Sequence, residues 1–149
     1  MKYWLVKTEP DVYSIEDLKR DKRTLWTEVR NYQARNYLRD MAMGDLLLVY
    51  HSNANPSGVV GIATVSKVAV ADPTQFDPSS EVYDPKASPD APRWFCPEVQ
   101  YVESARTLIP LAELRERKEL KNMELLRKGS RLSVQPVSEP EFSAIKKLF

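Results

Sequence analysis

The segment DLLLVYHS (Asp45–Ser52) runs into NANPSG and then into VVGIATVSKVAV (Val59–Val70). The first stretch is apolar without alternation, so a strand here is covered on both faces or rolled into a barrel. NANPSG is turn chemistry. The next strand or strand pair therefore follows with no crossover helix between, which argues against a doubly wound parallel sheet. Gly61, inside the second stretch, marks a bulge or a close backbone approach.

The flanking segments fit that frame. YWLVKT (Tyr3–Thr8) reads as a short strand ended by Pro10. Ser14 with Asp17 three residues on is a relative of the capping box, opening a helix that ends near Arg20. NYQARNYLRDMAMG reads as a second helix capped by Asn31, with Ala34, Leu38 and Met41 on one face and Arg35 and Arg39 on another. Gly44 supplies the positive φ that a helix end favours. Residues 72–93 hold five of the eleven prolines and little periodicity; so long a loop inside one domain is often functional. β character resumes at Trp94. PLAELRER and LKNMELLRKG read as helices, RLSVQPV as a strand, and SEPEFSAIKKLF as a terminal helix capped by Ser138. The expected fold is α+β, a small mixed β-barrel or curled sheet with peripheral helices, in one domain over residues 1–149.

Composition narrows the function classes. The 149 residues are 42% hydrophobic and 29% charged, as in globular proteins. No apolar run approaches the roughly 20 residues of a membrane span, so no membrane partner is expected. The first residues lack a signal peptide's apolar region, and one cysteine, Cys96, makes no internal disulfide; this favours the cytoplasm, or the nucleus in a eukaryote. A formal net charge of +1 is small for a protein that clamps long nucleic acid non-specifically. The oligomeric state has no signature.

Enzyme signatures are scarce. There is no GxGxxG, P-loop or GxSxG. One Cys and one His, Cys96 and His51, are too few for a zinc site, and no cofactor is expected. What remains is aromatic and basic. WTEVRNYQARNYLRD interleaves Trp26, Tyr32 and Tyr37 with Arg30, Arg35 and Arg39. Aromatic faces stack on bases, guanidinium groups take phosphates, and the Asn31 amide offers donor and acceptor together. His51, Ser52 and Asn53 close a strand, where ligand groups often gather. The same residues also admit ordinary roles: Trp26 as core, Arg35 and Arg39 as a solvated face, Asn31 as a cap, His51 as a structural histidine, Lys7 and Glu9 as a surface pair.

At YWLVKTEP, WTEVRNYQARNYLRDMAMGD, VYHS, VVGIATV and RLSVQPVS, and at the loop VYDPKASPDAPRW, the chain resembles the EVE domain family. The likeness runs in order from Tyr3 to the terminal helix. It implies a PUA-like small barrel with peripheral helices and a nucleic-acid partner, DNA or RNA, carrying a modified base such as a methylated or hydroxymethylated cytosine. HSNANPSGVVGIATV is similar to the strand–turn–strand pattern of the related YTH domains, and by that analogy Trp26 corresponds to an aromatic wall of a base cage. Carried over by position, Lys7, Thr8 and Glu9 are the K-[ST]-E block. Trp26, Val29, Arg30 and Asn31 are the W-VRN block, His51 and Ser52 close YHS, and Arg131 and Ser133 belong to RLS. Glu28 stands where the family often has Gly. The resemblance implies a non-catalytic reader. The alternatives are a small-molecule or anion sensor, and an enzyme acting on a nucleobase with His51 as acid or base.

Overall fold

The computed structural model describes residues 1–149. Strand β1 (Tyr3–Thr8) sends Trp4 and Val6 to one apolar cluster and Leu5 to another. Strand β3 (Leu46–His51) does the same, with Leu47 and Val49 on one side and Leu48 and Tyr50 on the other. Successive strand residues face opposite ways, so an uninterrupted apolar run means a sheet covered on both faces.

Strands β2 (Arg23–Leu25), β4 (Gly58–Ala71), β5 (Phe95–Pro110) and β6 (Val134–Val137) complete a six-stranded sheet in the order β2-β5-β4-β3-β1-β6. β1 and β3 pair in parallel and the other neighbours antiparallel. The register slips four times between β4 and β5 and once between β3 and β4; such bulges bend a sheet and raise its twist. The bending brings the two ends of the order together. Trp26, just past β2, and Val134, in β6, share one cluster with Val65 and Val99. β2 and β6 are nevertheless unpaired, so the sheet is a barrel-like curl with an open seam.

Helices α1 (Ile15–Asp21) and α2 (Tyr32–Asp40) cover the concave core through Ile15, Leu18, Ala34 and Leu38. Helices α3 (Leu111–Arg115) and α4 (Glu139–Lys146) cover the outer face through Leu114, Phe142 and Ile145. The caps stand where local chemistry places them. Ser14 and Asp17 close a capping box, Asn31 Oδ1 accepts from the Ala34 N–H at 2.9 Å, and Ser138 and Glu141 close a second box. Gly61 sits at a register slip; a Cβ there would lie 2.7 Å from both the Glu103 carbonyl oxygen and Ile15 Cδ1.

Four expectations change. β2 was not anticipated. Residues 118–126 form two 3-10 turns, Lys118–Leu120 and Glu124–Leu126, in place of a helix, because Leu120, Met123 and Leu125 all turn into the outer core at a spacing no α-helix matches. β5 continues past Ser104 to Pro110, drawn on by pairing of Ile109 and Pro110 with Val59 and Gly58. Gly44 (φ +89°) lies in the turn into β3, whereas α2 stops at Asp40. No helix is long and apolar enough to cross a membrane.

Candidate nucleic-acid interface

A cavity of about 400 Å³ lies at the seam, lined from both sides of it. Thr24 and Leu25 come from β2, Lys7, Thr8 and Glu9 from the end of β1, and Ser133 from the residue before β6. Val12 and Tyr13 precede α1, and the irregular run Trp26–Arg30 forms the remaining wall. The volume falls within the range of about 300–1,000 Å³ typical of small-ligand pockets.

Trp26 serves both the core and the cavity. It is 7% exposed, and Tyr13 meets its ring edge-on at 6.5 Å and 86°. Its indole N–H has no protein acceptor, yet it is not among the buried polar atoms left without a partner. The N–H is therefore unpaired and keeps some accessible surface, on a side chain that lines the cavity. The ring is packed from behind, and only a small part of it is exposed.

The remaining polar groups are hydroxyls and carboxylates. Thr8 Oγ1 donates to the Tyr13 carbonyl at 2.7 Å and keeps its lone pairs. The Ser133 carbonyl accepts from the Lys7 N–H at 2.9 Å, pinning the β1 end to the chain entering β6. Glu9 Oε1 accepts from Asn53 Nδ2 at 2.6 Å, so the carboxylate is steered by a side chain from the β3–β4 turn. Burial lifts the Tyr13 hydroxyl to about 12, helped by its hydrogen bond to Asp21; it remains a neutral phenol. Lys7 is half-buried, with its ammonium 5.8 Å from the ring centre of Tyr50, a residue of the outer core. Burial lowers its pKa, partly offset by the charge of Glu124.

Arg30 differs from the sequence expectation. It lines the cavity, but its guanidinium turns into the proline-rich loop. It donates to Asp72 Oδ2 at 3.1 Å, Thr74 Oγ1 at 2.9 Å, and the carbonyls of Val82 at 3.1 Å and Val29 at 3.0 Å, and it lies 5.3 Å from the Trp94 ring. These donors commit the guanidinium to the loop behind the cavity wall. Asp72 also accepts from the Glu28 N–H at 2.8 Å. Burial pushes the Asp72 pKa up, but hydrogen bonds from Thr74, the Glu28 backbone and Arg30 outweigh this and hold the carboxyl below its usual range. Glu28 itself sits at φ +74°, a left-handed conformation that glycine adopts without strain.

Of the residues singled out in sequence, Lys7, Thr8, Glu9, Trp26, Val29, Arg30 and Ser133 meet at the cavity. Asn31 and Arg131 line an adjoining hollow instead. His51 and Ser52 are in neither. His51 Nε2 accepts the Ile15 N–H at 3.1 Å, capping the start of α1 from below, and burial lowers its pKa. The acid–base role drawn for it has no geometric basis. Arg35 and Arg39 lie over aromatic rings, Arg35 at 4.9 Å from Tyr32 and Arg39 at 4.4 Å from Phe95. Sequence reasoning missed Tyr13, Thr24, Thr27 and, above all, Asp72. An Asp ahead of Pro-Thr signals a local turn cap, and Asp72 does cap the 3-10 turn at Pro73–Phe76, but its reach to Arg30 had no local signature.

A curled, unclosed mixed sheet with a polar cavity at its seam is a PUA-like module. The EVE domain model matches residues 2–148, and the chain belongs to the EVE family. It is 39% identical over 165 aligned positions to human thymocyte nuclear protein 1, an alignment covering 98% of this chain and 73% of that one. The crystal structure of a Pseudomonas syringae protein superposes with a TM-score of 0.95 at 42% identity, covering 98% of each chain. Human thymocyte nuclear protein 1 in complex with DNA containing 5-methylcytosine superposes at 0.93 and 40% identity, covering 99% of this chain and 97% of that one.

Proposed function

We propose that this protein is a non-catalytic reader of a modified cytosine in DNA, with the base taken out of the duplex and held in the seam cavity. The observation that carries the reading is the chemistry of the lining. Glu9 and Glu28, which carry carboxylates, and Thr8, Thr24, Thr27 and Ser133, which carry hydroxyls, line the same cavity as an indole whose N–H is unpaired. Cytosine offers an amino donor, which carboxylates accept, whereas thymine presents a carbonyl in its place. The carbonyl of cytosine is a partner for the indole N–H. The relative crystallised with 5-methylcytosine-containing DNA supports the same reading. An anion sensor fits this lining poorly, since Arg30 is already paired with Asp72. The compartment is wherever the cell keeps its DNA.

The test is fluorescence anisotropy with oligonucleotides carrying one 5-methylcytosine, cytosine or thymine at the same position. One buried methyl is worth about 0.8 kcal/mol, so the methylated base binds about fourfold tighter than the plain one. Thymine binds more weakly still. Trp26→Phe, which keeps an aromatic side chain but removes the N–H, and Glu9→Gln each reduce the preference. Equal affinity for all three oligonucleotides overturns the proposal.

A further inference from the structure

Beside the cavity lies a second hollow of about 340 Å³, lined by Asn31, Gln33, Glu124 and the run Arg127–Leu132. We infer that this hollow is a phosphate subsite that grips the DNA backbone next to the extruded base, with Arg127, Lys128, Ser130 and Arg131 as its ligands. The inference rests on the base-reading proposal for its partner, but on different residues for its observations.

The first observation is charge. Three cations, Arg127, Lys128 and Arg131, face one carboxylate, Glu124, so the lining carries a net +2 on a chain whose total is +1. The lining of the cavity is balanced, Lys7 and Arg30 against Glu9 and Glu28, whereas that of the hollow is not. Lys128 and Arg131 make no ion pair, and Arg127 meets Glu124 only at 3.5 Å with its side chain 76% exposed. Cations held this loosely remain available to phosphate.

The second observation is an orphan donor. Ser130 Oγ is buried in the wall of the hollow and has no hydrogen-bond partner. A hydroxyl in that state costs about 1–3 kcal/mol; it has no accessible surface as it stands, and a rotation about χ1 that turns it into the hollow would let a phosphate oxygen accept from it. Gly129, at φ +79° with no heavy atom within 4 Å of where a Cβ would stand, leaves the backbone open beside it.

The third is continuity. Arg30 lines the cavity and Asn31 the hollow; Ser133 lines the cavity and Leu132 the hollow. Two separate strands of chain thus step from one site to the other within a single residue, about 3.8 Å between Cα atoms. A nucleotide in the cavity has its own phosphates attached, and the hollow is the neighbouring concavity with the charge to take one.

The experiment compares wild type with Arg127→Gln/Lys128→Gln and with Ser130→Ala. Binding of methylated and plain oligonucleotides is measured as a function of salt, after circular dichroism confirms the fold. The double variant should lose affinity by the same factor for both oligonucleotides. Its plot of log K against log salt should flatten by about one for each phosphate contact removed. The methyl preference should stay unchanged, and Ser130→Ala should weaken both oligonucleotides alike. Unchanged affinity and slope in the double variant overturn the inference, even if the methyl preference stands. A weakened variant of a wild type with no methyl preference keeps the phosphate subsite and removes the base reading. A wild type that binds no oligonucleotide also overturns the inference.

Discussion

Arg30 Nη1 and Asp72 Oδ2 lie 3.1 Å apart and join chain segments forty-two residues distant. The Asp72 side chain is 1% exposed and that of Arg30 19%. Because Asp72 also accepts the Glu28 N–H, this one carboxylate fixes the wall that carries Trp26. Removing one member of a buried pair leaves the other uncompensated, at about 3–5 kcal/mol. Asp72→Ala should therefore cost about 3 kcal/mol by denaturant unfolding, toward the low end because Arg30 retains some contact with water. Asp72→Asn, which keeps an acceptor oxygen, should cost less, and both should weaken oligonucleotide binding. An Asp72→Ala protein as stable as wild type would show that the pair does not hold the wall.

Glu28 gives a test of backbone strain. A non-glycine residue in the left-handed region costs about 1–2 kcal/mol, against about 0.5–1 kcal/mol lost to glycine's extra freedom in the unfolded chain. Glu28→Gly should be about 1 kcal/mol more stable than Glu28→Ala, since alanine keeps the strain and glycine relieves it. The reverse order in thermal melts would contradict the assignment.

Gly61 gives the opposite test. A methyl group there would press on the Glu103 backbone and on Ile15 at 2.7 Å, and neither the strand nor the helix it belongs to is free to retreat. Gly61→Ala should lose about 1–3 kcal/mol, the usual range for overpacking. A loss well below 1 kcal/mol would mean that α1 yields readily.

His51 makes stability depend on pH near neutrality. Its folded pKa is lowered by burial, and its Nε2 must stay unprotonated to accept from Ile15. In the unfolded chain it titrates near 6.5. The contribution is complete above that pH and is lost as pH falls, because the unfolded state then binds the extra proton. The slope is limited to about 1.4 kcal/mol per pH unit for one proton. Melts between pH 7 and 5.5 should show wild type losing stability faster than His51→Gln, whose amide oxygen retains an acceptor; parallel curves would remove His51 as the cause.

Much of the fold is legible where the signal is local. Asn31, Ser14 with Asp17, and Ser138 with Glu141 cap their helices as their spacing requires. The apolar run Leu46–Tyr50 is buried on both faces, and Gly61 marks a bulge under close contact. What escapes is decided by distant partners. The three residues of β2 are too short to carry a pattern and become a strand because Pro97–Gln100 lie beside them. Leu120 and Leu125 look helical in sequence, yet each is pulled inward from its own separate turn. Trp26 and the K-T-E block, which a family pattern marks in the sequence, do line the cavity. The Arg30–Asp72 pair is not legible because nothing near Arg30 announces Asp72, and the bond from Ile15 to His51 is not because a strand end looks the same whether its histidine meets a ligand or a helix.

The open seam between β2 and β6 has a mechanical consequence. A hydrogen-bonded ladder holds adjacent strands about 4.8 Å apart, whereas an unpaired boundary sets no such distance. The two margins that flank the cavity can separate by fractions of an ångström without breaking a backbone bond. A methyl, or something slightly larger, can then be admitted by that small parting, while the twice-covered β3 and its neighbours stay as they are.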